Sequence, residues 1–343
     1  MSEMILKKSD LADFFKSLAA ECQLLGPVED GGRIKFAPAD PGVFLLDFQN
    51  TFMSPKNLFF PQSERLLTFT TDSSDEKAFI LEDSGDKPAP RAVFGIRPCD
   101  AKAFQVLDRI FRNDQYEDPY WFQKREATTL IGLGCNRPCP TCFCTSVNCG
   151  PFHEEGLDVL ATDLGDQLLL KGLTEKGEAL LSKAKGLKKA DKKALEAAAG
   201  QKTASEEAIT VKVPQDQIPG RSVLDLFEAE HWERVHESCL NCGTCTFVCP
   251  TCHCFDIQDE VCRCDGDRVR NWDSCMSWLF TMHGSGHNPR PGKKERVRQR
   301  FMHKFKYIPI KRDGEIGCVG CGRCINLCPV NIDVRDVVRN MNA

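Results

Sequence analysis

Two stretches decide the reading of this chain: CLNCGTCTFVCPTCHC (239–254) and GCVGCGRCINLCPV (317–330). Cys239, Cys242, Cys245 and Cys249, followed by Pro250, form a C-x2-C-x2-C-x3-C-P run, and Cys318, Cys321, Cys324 and Cys328, followed by Pro329, repeat it. Three thiolates at this spacing wrap three irons of a cubane 4Fe–4S cluster, and the fourth cysteine of such a run ligates the other cluster. The expected ligands are therefore Cys239, Cys242, Cys245 and Cys328 for one cluster, and Cys318, Cys321, Cys324 and Cys249 for a second. The proline redirects the chain after the fourth ligand. Zinc also takes C-x2-C pairs, but its sites stop at four ligands in two pairs, and these runs do not fit that economy. Cys252 and Cys254 fall in the first stretch but outside the count. With Cys275 they read as thiols packed beside the clusters, or as part of a further centre that Cys262 or Cys264 would complete.

The chain has 343 residues, of which 20 are cysteine. Its first twenty residues, MSEMILKKSDLADFFKSLAA, lack the apolar core of a secretory signal. No apolar run approaches the ~20 residues of a membrane helix. A cytoplasmic protein without membrane insertion is expected, and in a reducing compartment so many cysteines point to metal rather than disulfides. Exposed clusters oxidise, so the chain is expected to work where oxygen is scarce. The net charge of −4 gives no basic field for nucleic acid.

The pattern predicts an α+β protein: a mixed α/β domain over 1–210, a linker over 211–220 and an α-helical ferredoxin domain over 221–343. Apolar runs at 43–48, 65–70, 77–81, 91–96 and 128–134 read as strands, with helices over about 9–20 and 101–111. The Lys/Ala/Glu-rich segment 174–209 reads as helix broken near Gly186 and Gly200. VKVPQDQIPG (211–220) carries the composition of a linker. Beyond it, 224–235, 271–282 and 293–307 read as helices, and no strand stands out.

The first half carries its own cysteines. RPCD puts Cys99 after one predicted strand, and GCNRPCPTCFC puts Cys135, Cys139, Cys142 and Cys144 after another, with Cys149 following. Strand ends in an α/β sheet converge on sites. Cys99, Cys135, Cys142 and Cys144 are the expected ligands of a third 4Fe–4S cluster, with Cys139 the substitute. A zinc site or plain buried thiols are the alternatives. Arg97, Asp100 and His153 lie near enough in sequence to tune such a centre, although ordinary ion pairing is the better account of them. No paired nucleophile and base stands out, and no catalytic residue is expected.

RVRNWDSCMSWLF, NPRPGKKERVRQRFMHKFKY, FGIRPCDAKAFQVLD and TCFCTSV, taken with the two runs, resemble one family. It is the 4Fe–4S dicluster family of sulfhydrogenase beta subunits and their counterpart in anaerobic sulfite reductase, with relatives that partner flavin oxidoreductases of heterodisulfide reductase. The resemblance spans nearly the whole chain and weakens over 174–209 and 261–267. It implies an electron-transfer subunit between an FAD/NAD(P)-binding reductase subunit and a terminal redox subunit: a hydrogenase, a sulfite reductase or a heterodisulfide-reductase-like partner. Lacking a G-x-G-x-x-G after a strand, the chain is not expected to hold the dinucleotide itself. The competing reading is a protein with its own catalytic site at an open iron of the amino-terminal cluster.

Overall fold

The central strands of the first half are short aliphatic runs that bury both faces, the pattern of parallel strands covered by helices. The computed structural model, which describes residues 2–38, 40–85 and 87–343, builds them into an eight-stranded sheet. Its strands are β1 (Glu3–Lys7), β2 (Gln23–Asp30), β3 (Arg33–Pro38), β6 (Arg91–Ile96), β7 (Thr128–Leu133), β8 (Val159–Asp163), β9 (Gln167–Gly172) and β10 (Leu187–Lys189), in the order β10-β1-β9-β8-β7-β6-β2-β3. β8, β7, β6 and β2 are parallel, and the flanking strands are antiparallel. Side chains alternate across the sheet. Phe94 and Ile131 join Phe14, Phe15 and Leu18 of α1 (Leu11–Ala19) in one layer. Val93 and Leu130 join Phe104 of α2 (Pro98–Phe111) and Trp121 of α3 (Pro119–Glu126) in the other. Pro98 and Pro119 start these helices where a missing N–H costs nothing.

β4 (Ser63–Thr70) and β5 (Glu82–Asp83) belong to a second sheet, completed from the other half of the chain by β11 (Phe255–Cys262) and β12 (Asp265–Trp272) in the order β11-β12-β4-β5. The segment 221–343 is thus not all-helical: its 255–272 hairpin is shared with the first half. Arg270 locks the join. Its guanidinium is buried and donates to Glu64 at 2.5 Å and to Asp118.

The remaining helices are α4 (Glu175–Lys183), α5 (Lys192–Glu207), α6 (Val223–Glu228), α7 (His231–Val235), α8 (Thr244–Phe247), α9 (Lys293–Met302), α10 (Ile308–Lys311), α11 (Arg323–Asn326) and α12 (Val334–Asn342). Gly186 breaks the Lys/Ala-rich segment with φ +81°, whereas α5 runs straight through Gly200. The predicted helix over 224–235 is two short ones, and that over 293–307 continues α9 through a widened turn to Tyr307.

Three further expectations fail. Residues 43–48 are not a strand; Phe44 and Phe48 are buried from irregular chain. Residues 77–81 form turns, with Phe79 at φ 65°. Residues 271–282 are not a helix, because Asn271 and Trp272 belong to β12 and the Asp273 N–H is taken by the Cys254 carbonyl at 3.0 Å. The 211–220 segment has no regular structure but is packed down. Val213 and Ile218 are buried, and Lys306 Nζ donates to the carbonyls of Ile218, Pro219 and Arg221 at 3.0, 3.0 and 2.5 Å. No helix among the described residues is long and apolar enough to cross a membrane.

Removing Arg270 leaves Asp118 and part of Glu64 uncompensated. Arg270→Met is expected to cost about 3–5 kcal/mol of stability, read as a lower urea midpoint. An unchanged midpoint would show that the shared hairpin is not locked this way.

Candidate metal centres

The two cysteine runs fold alike. Asn241 and Gly320 take positive φ (55° and 64°), and so do Gly243 and Gly322 (75° and 74°). Each second glycine caps a four-residue helix, α8 or α11, that carries the third cysteine of its run. The Asn241 and Gly320 amides point back at the Cys239 and Cys318 sulfurs at 3.4 and 3.5 Å. Glycine is required at 320 and 322 for a second reason: a Cβ there would lie 2.5 Å from the Cys144 backbone nitrogen and 2.4 Å from Thr141 Oγ1.

The closing cysteine of each run lies against cysteines of the other run. One cavity is lined by Cys239, Cys242, Cys245, Cys324 and Cys328. A second is lined by Cys249, Cys318, Cys321 and Cys324. The residues of each expected set thus lie around one cavity, with Cys324 lining both. The Cys328 sulfur accepts the Ile332 N–H at 3.2 Å, and Cys249 pairs with the Thr251 hydroxyl at 3.3 Å. Cys242 is exposed, which puts the first set at the surface, whereas Cys249 and Cys321 are buried. All 20 thiols are free.

The amino-terminal cysteines gather at the ends of β6 and β7, which lie side by side in parallel. Cys99 sits in the first turn of α2, and Cys135 follows β7 directly. Cys99 and Cys142 are within each other's field, as are Cys135 and Cys144, so the four predicted ligands come together. Cys139, hydrogen-bonded to Cys142, and Cys149, beside Cys144, join them. Sequence places Cys139 only as a substitute and leaves Cys149 open; the C-x2-C-x-C spacing gives no means of ranking six thiols. This group abuts the second run: Cys142 Sγ lies 3.7 Å from the Cys321 carbonyl, and the Phe143 N–H donates to the Gly320 carbonyl at 2.9 Å.

The fold also buries cations beside the thiols. Lys56, Arg300 and Lys304 are buried and have no carboxylate ion pair among the described residues. Lys304 donates to the Thr251 hydroxyl at 2.8 Å and the Gly317 carbonyl at 2.9 Å. Burial opposes its charge, but the fields of Cys249 and Cys252 outweigh that and raise its pKa. Lys56 donates to the Cys252 carbonyl at 2.7 Å and lies 3.9 Å over the Trp272 ring; burial brings its pKa down to about 8, partly opposed by Cys252 and Cys249. Burial pushes the Cys321 thiol up to about 12, with Arg323 opposing. Asp100 and Arg323 form a fully buried bidentate pair at 2.7 and 2.8 Å between Cys99 and Cys321.

These surroundings fit iron–sulfur clusters. Buried unpaired cations are costly unless an anion faces them, and thiolate-bound clusters are anionic. The buried Thr141 and Thr145 hydroxyls, flanking Cys142 and Cys144, have no protein partner. Among the described residues, no three His, Cys, Asp or Glu side chains converge on a single ion.

Removing the Lys304 charge makes reduction of a neighbouring anionic cluster harder. At an effective dielectric of ~20, the loss is about 2 kcal/mol, or roughly 90 mV for one electron. Lys304→Met is therefore expected to shift one EPR-monitored midpoint potential negative by roughly that amount, leaving the others in place. No shift would separate Lys304 from the cluster.

Comparison with known proteins agrees with this geometry. Residues 238–332 match the 4Fe-4S dicluster domain model. The sulfhydrogenase 2 subunit beta of Pyrococcus furiosus is 28% identical over 345 residues, covering 95% of each chain. The chain thus carries a 4Fe-4S dicluster domain over 238–332 and is similar along its length to a sulfhydrogenase beta subunit.

Proposed function

We propose that this chain is the electron-transfer subunit of a cytoplasmic multi-subunit oxidoreductase. It relays single electrons between an FAD/NAD(P)-binding reductase subunit and a terminal redox subunit of hydrogenase, sulfite reductase or heterodisulfide-reductase type. The observation that carries the reading is the succession of three cysteine groups. The surface set (Cys239, Cys242, Cys245, Cys328) adjoins the buried set (Cys318, Cys321, Cys324, Cys249), which adjoins the amino-terminal set. The 95% coverage of a sulfhydrogenase beta subunit supports assembly with catalytic partners.

On this reading Cys99, Cys135, Cys142 and Cys144 hold a third 4Fe–4S cluster. When bound, such clusters exchange one electron each. The chain's own residues do the rest. Val319 and Cys321 pack with Ala103 and Cys99, sealing the boundary between two sets from water. The Asn241, Gly320 and Ile332 amides and the Thr251 hydroxyl direct hydrogen bonds to ligand sulfurs, which stabilises the more negative state. Lys304 and Arg323 add positive charge beside the buried set. Domains over 1–210 and 221–343, joined by 211–220, remain the working division. A catalytic open iron in the amino-terminal centre is less well supported, because six thiols gather where four suffice.

The full chain, purified anaerobically, is expected to be brown, reversibly reducible and silent toward NAD(P)H until a flavin-bearing partner is added. Turnover of NAD(P)H by the chain alone would overturn the relay reading. Cys99→Ser/Cys142→Ser is expected to lose about four irons while keeping the other EPR signals; unchanged iron would remove the third cluster.

A further inference from the structure

Cys252, Cys254 and Cys275 are not among the expected ligands of the three sets above, although the Cys252 thiol is hydrogen-bonded to Cys249 of the buried set. They come from two segments that the 255–272 hairpin closes together: Phe255 pairs with Trp272, and the Asp273 N–H donates to the Cys254 carbonyl at 3.0 Å. The Cys254 sulfur accepts from both the thiol and the amide of Cys275, and Cys252 lies within the field of Cys275. Cys275 is buried, at 8% exposure, and Cys252 and Cys254 are half-buried. Cys262 and Cys264, the residues that sequence would use to complete such a group, sit exposed at the hairpin tip and do not join it.

The group faces positive charge. Arg300 Nη1 is 3.8 Å from the Cys252 sulfur, and its buried Nε has no partner. Lys56 Nζ is held on the Cys252 carbonyl. Lys304 faces the other way, through Thr251, toward Cys249. Arg300 also lines both ferredoxin-type cavities, so part of its charge is met there, whereas Lys56 lines neither and would be answered by metal-bound thiolates at this group. A structural zinc site takes four protein ligands, and no fourth His, Cys, Asp or Glu is grouped with these three among the described residues.

We propose that Cys252, Cys254 and Cys275 hold a further iron–sulfur cluster through three thiolates, with a non-cysteine ligand at any remaining iron. The site is independent of the direction or partners of electron relay.

The test measures iron, acid-labile sulfide and Mössbauer spectra of the full chain. Cys275→Ser, outside both ferredoxin-type runs, and Cys252→Ser are each expected to lose about three to four irons and matching sulfide, with the dicluster signals retained. Unchanged iron in either folded variant would overturn the proposal. A second arm leaves the three cysteines intact. In Cys99→Ser/Cys142→Ser the two ferredoxin-type clusters account for about eight irons, so about eleven or twelve supports the further cluster and about eight overturns it. Should the double variant keep all its iron, the third-cluster reading fails instead, and the Cys275→Ser comparison still decides this site.

Discussion

The buried ion pair between Asp100 and Arg323 is the contact on which the arrangement of cysteines depends. Asp100 opens α2 beside Cys99, and Arg323 opens α11 between Cys321 and Cys324. Arg323 also donates to the Thr51 carbonyl and hydroxyl, both at 2.9 Å, and Ser54 donates to Asp100 at 3.2 Å. Taking two charges out of water costs several kcal/mol per ion, and only saturated hydrogen bonding offsets it. Such a pair adds little net stability, but it fixes one register between the halves of the chain. That register sets the distance between the amino-terminal thiols and the second cysteine loop. Glycines 320 and 322 let the backbones close to contact around it.

Charge organises the rest of the centre. Burial raises the pKa of most of these thiols, so without compensation they would stay protonated and bind metal poorly. Arg323, Arg300 and Lys304, placed within the shell of cysteines, oppose that effect. The same cations would be a liability in an apolar core. Arg323 has Asp100 as its partner, but Arg300 and Lys304 have no carboxylate among the described residues and are intelligible there only with anionic thiolate centres around them, which links the folding of this half to the loading of its clusters.

Much of this is readable from sequence, for a local reason. A ferredoxin-type loop needs its three cysteines at short fixed spacing, so the two runs announce themselves. The strands 91–96 and 128–133 are equally plain, because burial on both faces demands continuous aliphatic residues. The hairpin is not readable. FDIQDEVC alternates Phe255, Ile257 and Val261 with acidic residues, but its strands earn their place by pairing with β4, far away in sequence. β2 is hidden by Pro27, which sits within it. The 211–220 segment has linker composition yet buries Val213 and Ile218. Lys56 reads as an ordinary surface lysine until the fold encloses it. Which of six amino-terminal thiols adjoin the second run depends on the Phe143–Gly320 contact, and no spacing rule encodes it.

The central claim is that the two runs exchange their closing ligands. Iron content of double variants tests it most directly. If Cys249 serves the same cluster as Cys321, Cys249→Ser/Cys321→Ser loses about four irons, no more than either single variant. Cys249→Ser/Cys242→Ser then strikes two clusters and loses about eight. The opposite pattern, with Cys249 and Cys242 non-additive and Cys249 and Cys321 additive, would contradict the crossed arrangement.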